Sequence, residues 1–241
     1  MIYDNPAARL KAILDAGLKE NKDQSCITVW RKLLEANPND AGDLFHRLGK
    51  TMELPQKIIF LLQTHSPHHI ETSSHWRNQI DSAFMNQQLS GKWESFINQI
   101  NVHCINYLSF IADILHNKLN AKTVQLEKIN DLISKITTLI AEIENSDLES
   151  DLKLYLLRDL SILLQTLREY KITGGEAILK QVESIVGHSC RDKKFLDFLK
   201  DHKLGQRVLD DLNAVAATLT IYLSIPQLSQ TVPMILPLLS N

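Results

Sequence analysis

Residues 124–170 read VQLEKINDLISKITTLIAEIENSDLESDLKLYLLRDLSILLQTLREY, and this stretch decides the fold. In its first half Ile129, Leu132, Ile136, Leu139 and Ile143 recur at alternating intervals of three and four. Because 3.6 residues complete a helical turn, that spacing puts all five on one stripe, the seam of a coiled coil. Ile133 and Ile140 widen it. The second half, residues 151–170, is dense in leucine and contains neither glycine nor proline. Between the halves, Ser146 followed by Glu149 has the spacing of a capping box. Two apolar helices on so short a connection predict a leucine-rich antiparallel hairpin.

Outward from the hairpin, helix punctuation recurs. Asn5-Pro6 is an N-cap followed by proline at the first helical position, where the missing N–H costs nothing. Gly17 ends that helix. Further helices are expected over residues 27–36, 41–52 and from Pro55 onward, each bounded by a proline or a polar run. Residues 65–74 hold three histidines, several hydroxyl side chains and a proline, and they read as a loop. Ser73 or Ser74 caps the next helix, and after Gly91 one long helix carries Trp93, Phe96, Ile97, Ile100, Cys104, Tyr107, Ile111 and Leu115. Past the hairpin, Thr173 with Glu176 repeats the capping-box signature, and Gly187 is placed to close that helix in the left-handed conformation. No stretch alternates with period two. The expectation is an all-α bundle of about nine to ten helices, in which residues 1–70 form a subdomain of short helices and residues 71–241 a long-helix bundle, together one compact body.

The C-terminus is anomalous. Every Lys, Arg, Asp and Glu lies at or before Asp211. With 22% of the chain charged, about six or seven charges are expected over residues 212–241, and there are none. Asn213, Ala217, Thr220 and Ser224 fall on one narrow helical stripe, with Val215, Leu219, Ile221, Tyr222 and Leu223 around the rest. Pro226, Pro233 and Pro237 break any continuation. The segment therefore reads as an apolar helix followed by a proline-broken strap. The strap lies in a groove of the bundle, or the segment docks on a partner or a membrane. Leu219, Tyr222, Leu223, Ile225, Met234, Ile235, Leu236 and Leu238 are the candidate interaction or membrane residues. A proline after fourteen residues leaves this helix short of the roughly 20 needed to span a bilayer.

Composition removes several classes of function. With 26 Lys and Arg against 28 Asp and Glu, the net charge of -2 provides no global field for nucleic acid, and no nucleic-acid partner is expected. Cys26, Cys104 and Cys190 are odd in number and lack CxxC spacing, against a disulfide framework or zinc ribbon. The first residues, with Asp4, Asn5 and Pro6, are unlike a secretory signal, which makes a cytoplasmic protein the default. His65, His68, His69 and His75 are the densest set of potential metal ligands, but their spacing matches no closed zinc motif, so neither a metal nor another cofactor is expected. The pairs Asp43/His46 and Asp113/His116 should face solvent, opposite their helices' apolar stripes. Nucleoside-phosphate, zincin and nucleophile-elbow motifs are absent. His103-Cys104 and His188-Ser189-Cys190 are the neighbours closest to a nucleophile and base; adjacent helical residues point apart, which separates His103 from Cys104, while the second set sits at a helix end where proximity is common by chance. No catalytic residue is assigned. The reading that remains is a non-enzymatic helical interaction or scaffold protein, binding a protein partner or itself. The alternatives are a membrane-directed effector acting through residues 212–241 and a metal-dependent enzyme centred on residues 65–75.

Overall fold

The computed structural model describes residues 4–120, 122–189 and 191–223. Among these residues the fold is all-α, with no strand. The chain divides into two compact units, Met1–Asn120 and Ala121–Asn241.

In unit 1 the helices are α1 (Pro6–Gly17), α2 (Cys26–Leu33), α3 (Ala41–Met52), α4 (Leu54–His65), α5 (Ile70–Asn86), α6 (Glu94–Ile97) and α7 (Val102–Leu119). Asn5 starts α1 as its sequence suggests. Its carboxamide oxygen accepts from Ala8 N–H at 3.0 Å, while its Nδ2 donates to the carbonyl of Ala112, tying α1 to α7. α1, α4, α5 and α7 form the main packing layer. Beside it Trp30, Phe84, Trp93 and Phe96 interlock with ring centroids 4.9–5.9 Å apart. Both buried indoles in this cluster are satisfied: Trp30 Nε1 donates to Gln87 and Trp93 Nε1 to the carbonyl of Gly17.

Unit 2 holds α8 (Leu126–Glu144), α9 (Ser150–Arg168), α10 (Tyr170–Thr173), α11 (Gly175–Ser189), α12 (Lys193–Asp201) and α13 (Lys203–Leu223). α8 packs on α9, α9 on α11, α11 on α13 and α13 back on α8, so four helices close around one core. The five seam residues of α8 are its buried ones, with Ile133 and Ile140 half-buried. They meet Leu156, Leu160, Leu163 and Leu167 of α9, Ile178, Val182 and Ile185 of α11, and Val208, Leu212, Val215 and Leu219 of α13, all nearly or fully buried. α12 lies against α11 and α13.

Several local expectations are corrected. Residues 65–74 are mostly helical: α4 reaches His65, a 3₁₀ turn spans Pro67–His69 and α5 begins at Ile70. Ser73 and Ser74 do not cap α5; their hydroxyls donate back to the carbonyls of His69 and Glu71. That bond lets serine sit inside a helix whose apolar face, Trp76, Ile80 and Ala83, is buried. The expected division near residue 70 falls within unit 1, where α4 and α5 pack together. The single long helix expected after Gly91 is two, because Asn101 takes an extended backbone and caps Cys104 N–H at 2.9 Å. Ser146 donates to the carbonyl of Ile143 and Thr173 to that of Glu169, so neither capping box forms at its helix start. Gly187 lies inside α11, not at its end.

A candidate groove in unit 2

α9 begins with no side-chain cap bond, and its first turns set Asp151, Leu152 and Tyr155 near the C-terminal end of α11 and the start of α12. The space between them is a groove of about 720 Å³, lined by Glu149, Asp151, Leu152, Tyr155, His188, Asp192, Lys194, Phe195 and Asp197. Three rings organise it. Tyr155 stacks on His188 at 4.0 Å between centroids, and the buried Phe195 meets both edge-on, at 5.1 and 5.4 Å. Asp192 caps α12 by accepting from Phe195 N–H and stands 3.6 Å from His188 Nε2.

Beneath the groove, Asp159 is buried and accepts from Arg158 Nε at 3.0 Å. The guanidinium of Arg158 lies 5.1 Å over the Tyr155 ring. Burial pushes the Tyr155 phenol above its ordinary range, and the hydrogen bond it gives to the Asp159 carboxylate pushes it further. Tyr155 is therefore a neutral donor, held in place from below. The rim carries four carboxylates and a single lysine, Lys194, whose ammonium is 3.7 Å from Glu149.

The residues singled out from sequence lie elsewhere. His65 and His68 are exposed, and His69 packs its ring on His68 and on Phe110. His75 lines a shallow polar cleft with Asn78, Gln79, Ser82 and Gln99. Among the described residues no three His, Cys, Asp or Glu side chains converge in a way that could hold a metal. Cys104 is buried, and burial pushes its thiol up to about 12. His103 beside it is exposed, so no nucleophile and base meet there. Cys190 lies outside the described residues. Asp113 faces solvent as expected, but Asp43 does not. Its carboxylate accepts from Asn37 N–H and from Arg47 Nε, because the connection from α2 folds over that side of α3.

Of the C-terminal candidates, Leu219 is fully buried in unit 2. Tyr222 is half-buried; the Lys128 ammonium lies 5.3 Å over its ring, and its carbonyl accepts from Lys122 N–H. Leu223 is the last residue of α13. Ile225, Met234, Ile235, Leu236 and Leu238 fall outside the described residues. Of the narrow stripe, Asn213 and Ala217 are exposed and Thr220 is half-buried, and among the apolar residues around it Ile221 is 73% exposed. α13 is thus an ordinary one-sided helix. Among the described residues no helix is long and apolar enough to cross a membrane.

No spacing in the sequence announces the groove. Its signal is tertiary, since α9 contributes an i, i+4 pair, Asp151 and Tyr155, and the α11–α12 junction supplies the opposite wall. Comparison with family models, with curated proteins and with solved structures finds no match for this chain.

Proposed function

We propose that this is a non-enzymatic helical interaction protein whose unit 2 receives a segment of a protein partner in the groove between α9, α11 and α12. The observation that carries the reading is the groove itself. A concave space of about 720 Å³ with ring-lined walls is of the size that binding sites use.

The test is a random peptide library panned on the full chain. Enriched peptides are then re-measured on Leu152→Trp, which fills the half-exposed groove wall without adding charge. Loss of their binding supports the reading. Peptides that bind both proteins equally place recognition elsewhere and sink it.

The charge-free segment after Asp211 supports a second reading, a membrane-directed effector. Since Leu212, Val215 and Leu219 are already in the core, the part open to that role is residues 224–241. Liposome flotation of the full chain against a chain ending at Leu223 tests it: equal flotation ends the membrane reading.

A further inference from the structure

We infer that the occupant of the unit 2 groove is a cationic side chain, arginine or lysine, presented by a protein partner. The inference rests on the proposed interaction role and names the chemistry that the groove selects. Its lining divides into two kinds of surface. Leu152, Tyr155 and Phe195 are apolar, while Glu149, Asp151, Asp192 and Asp197 are anionic, with Lys194 the one cation among the lining residues. An apolar wall beneath an anionic rim suits a side chain with a methylene stem and a charged head, which is what distinguishes Arg and Lys from other residues.

The carboxylates are not used up internally. Glu149 faces Lys194 at 3.7 Å, a loose contact between side chains that are 63% and 84% exposed. Asp192 spends one oxygen on capping Phe195 N–H and keeps the other 3.6 Å from His188. Asp151 and Asp197 are exposed at the rim. An acidic or purely apolar partner would have to bury these carboxylates without compensation, which opposes binding.

The other occupants on hand fit less well. Residues 224–241 contain no cation, so they could fill the apolar wall but would leave the rim unpaired. The groove therefore commits to a partner, and the chain's own tail becomes an outcome of the test.

The probe is a capped hexapeptide carrying two arginines among leucine and alanine, compared with the same peptide in which citrulline, neutral and nearly the same shape, replaces arginine. Binding to the full chain is read by fluorescence anisotropy at pH 7.5. The arginine peptide is expected to bind at least about tenfold tighter. Asp151→Asn with Asp197→Asn, two exposed changes that leave the core alone, should weaken it by about two- to fivefold per carboxylate, the usual worth of an exposed ion pair. Leu152→Trp should abolish it, which separates seating in the groove from general attraction to an acidic surface.

Equal binding of the two peptides overturns the inference, as does an arginine preference that survives both variants. An arginine peptide that binds only after removal of residues 224–241 makes that segment the resident occupant and also overturns it. If the library instead enriches neutral peptides that Leu152→Trp excludes, the interaction role stands and the cationic occupant falls.

Discussion

Replacing Asp43 by alanine should destabilise unit 1 by about 2–3 kcal/mol, well beyond the roughly 0.3–0.5 kcal/mol of an ordinary i, i+4 pair on a helix surface. The difference follows from burial. Arg47 exposes 7% of its side chain and Asp43 15%. Nε of Arg47 donates to both carboxylate oxygens at 2.9 and 3.0 Å, Nη1 donates to the carbonyl of Leu34, and the second carboxylate oxygen also accepts from Asn37 N–H at 2.7 Å. Removing the carboxylate takes the two-oxygen acceptor from a buried guanidinium, and breaking a buried pair from one side costs about 3–5 kcal/mol when water is fully excluded. The partial exposure of Asp43 reduces that figure. All three tryptophans, Trp30, Trp76 and Trp93, lie in unit 1, so indole emission in a urea titration follows that unit alone. A shift of the midpoint by about 1.5–2 M is expected. The double change Asp43→Ala with Arg47→Met should cost less than the sum of the two single changes, because both remove the same ion pair. Burial opposes ionisation of Asp43, but the hydrogen bonds from Asn37 N–H and Arg47, with the charges of Arg47 and His46, hold it below the usual carboxylate range. Its contribution is therefore complete above the unfolded value of about 3.9 and disappears as pH falls through the lower folded value. A cost under about 0.5 kcal/mol at pH 7, or strict additivity in the double variant, would refute the reasoning.

Two glycines should respond in opposite directions. A Cβ at Gly187, exposed inside α11, meets nothing within 4 Å, so Gly187→Ala should stabilise unit 2 by about 0.5–1 kcal/mol. A Cβ at Gly205 would stand 2.0 Å from the carbonyl oxygen of Phe198, so Gly205→Ala should cost about 2–3 kcal/mol as the backbone separates α12 from α13. Thermal melts followed by far-UV circular dichroism distinguish them, and equal melting temperatures would contradict both assignments. In a Cys190→Ser background, native Cys26 and Cys104 should react with a disulfide reagent at pH 8 at least about a hundredfold more slowly than in urea, since both are buried and burial pushes Cys104 up to about 12; rapid native labelling would show an open core. Ending the chain at Asp211 removes Leu212, Val215, Ala216 and Leu219 from the core of unit 2. The lost burial, about 6–8 kcal/mol, rivals the whole stability of a small domain, so helicity should fall sharply, and a chain that stays folded would count against the packing of α13.

Periodicity along the chain revealed what depends on one helix at a time. The seam from Ile129 to Ile143 is the buried face of α8, and the Asn5-Pro6 signal caps α1, because both are local consequences of helical geometry. Helix boundaries were less legible. A capping residue is recognised by its backbone angle as much as by its type: Asn101 caps while Ser73, Ser146 and Thr173 turn their hydroxyls to the preceding helical turn. Periodicity also runs unbroken across the gap between α6 and α7, since both helices bury residues of the same stripe. Burial accounts for the uncharged positions Leu212, Val215, Ala216 and Leu219, but it does not explain why exposed Asn213 and Ala217 carry no charge.

The groove shows why a nearly neutral sequence can still build a predominantly anionic site. Along residues 191–201 basic and acidic side chains alternate, and read linearly they describe a solvated face with no preference. Folding separates them by direction. Asp192 is fixed by its capping bond to Phe195 N–H, which turns its carboxylate toward His188, and Asp197 points to the same side. Lys193 and Lys200 do not line the groove. Across from them, the start of α9 brings Glu149 and Asp151, acidic residues that helices favour in the first turn for reasons unrelated to binding. The acidic start of α9, and Asp192 and Asp197 at the N-cap and middle of α12, are thus turned toward one space by the packing of α9, α11 and α12. The charge of the site is a product of that convergence, and composition, which averages over the whole chain, is blind to it.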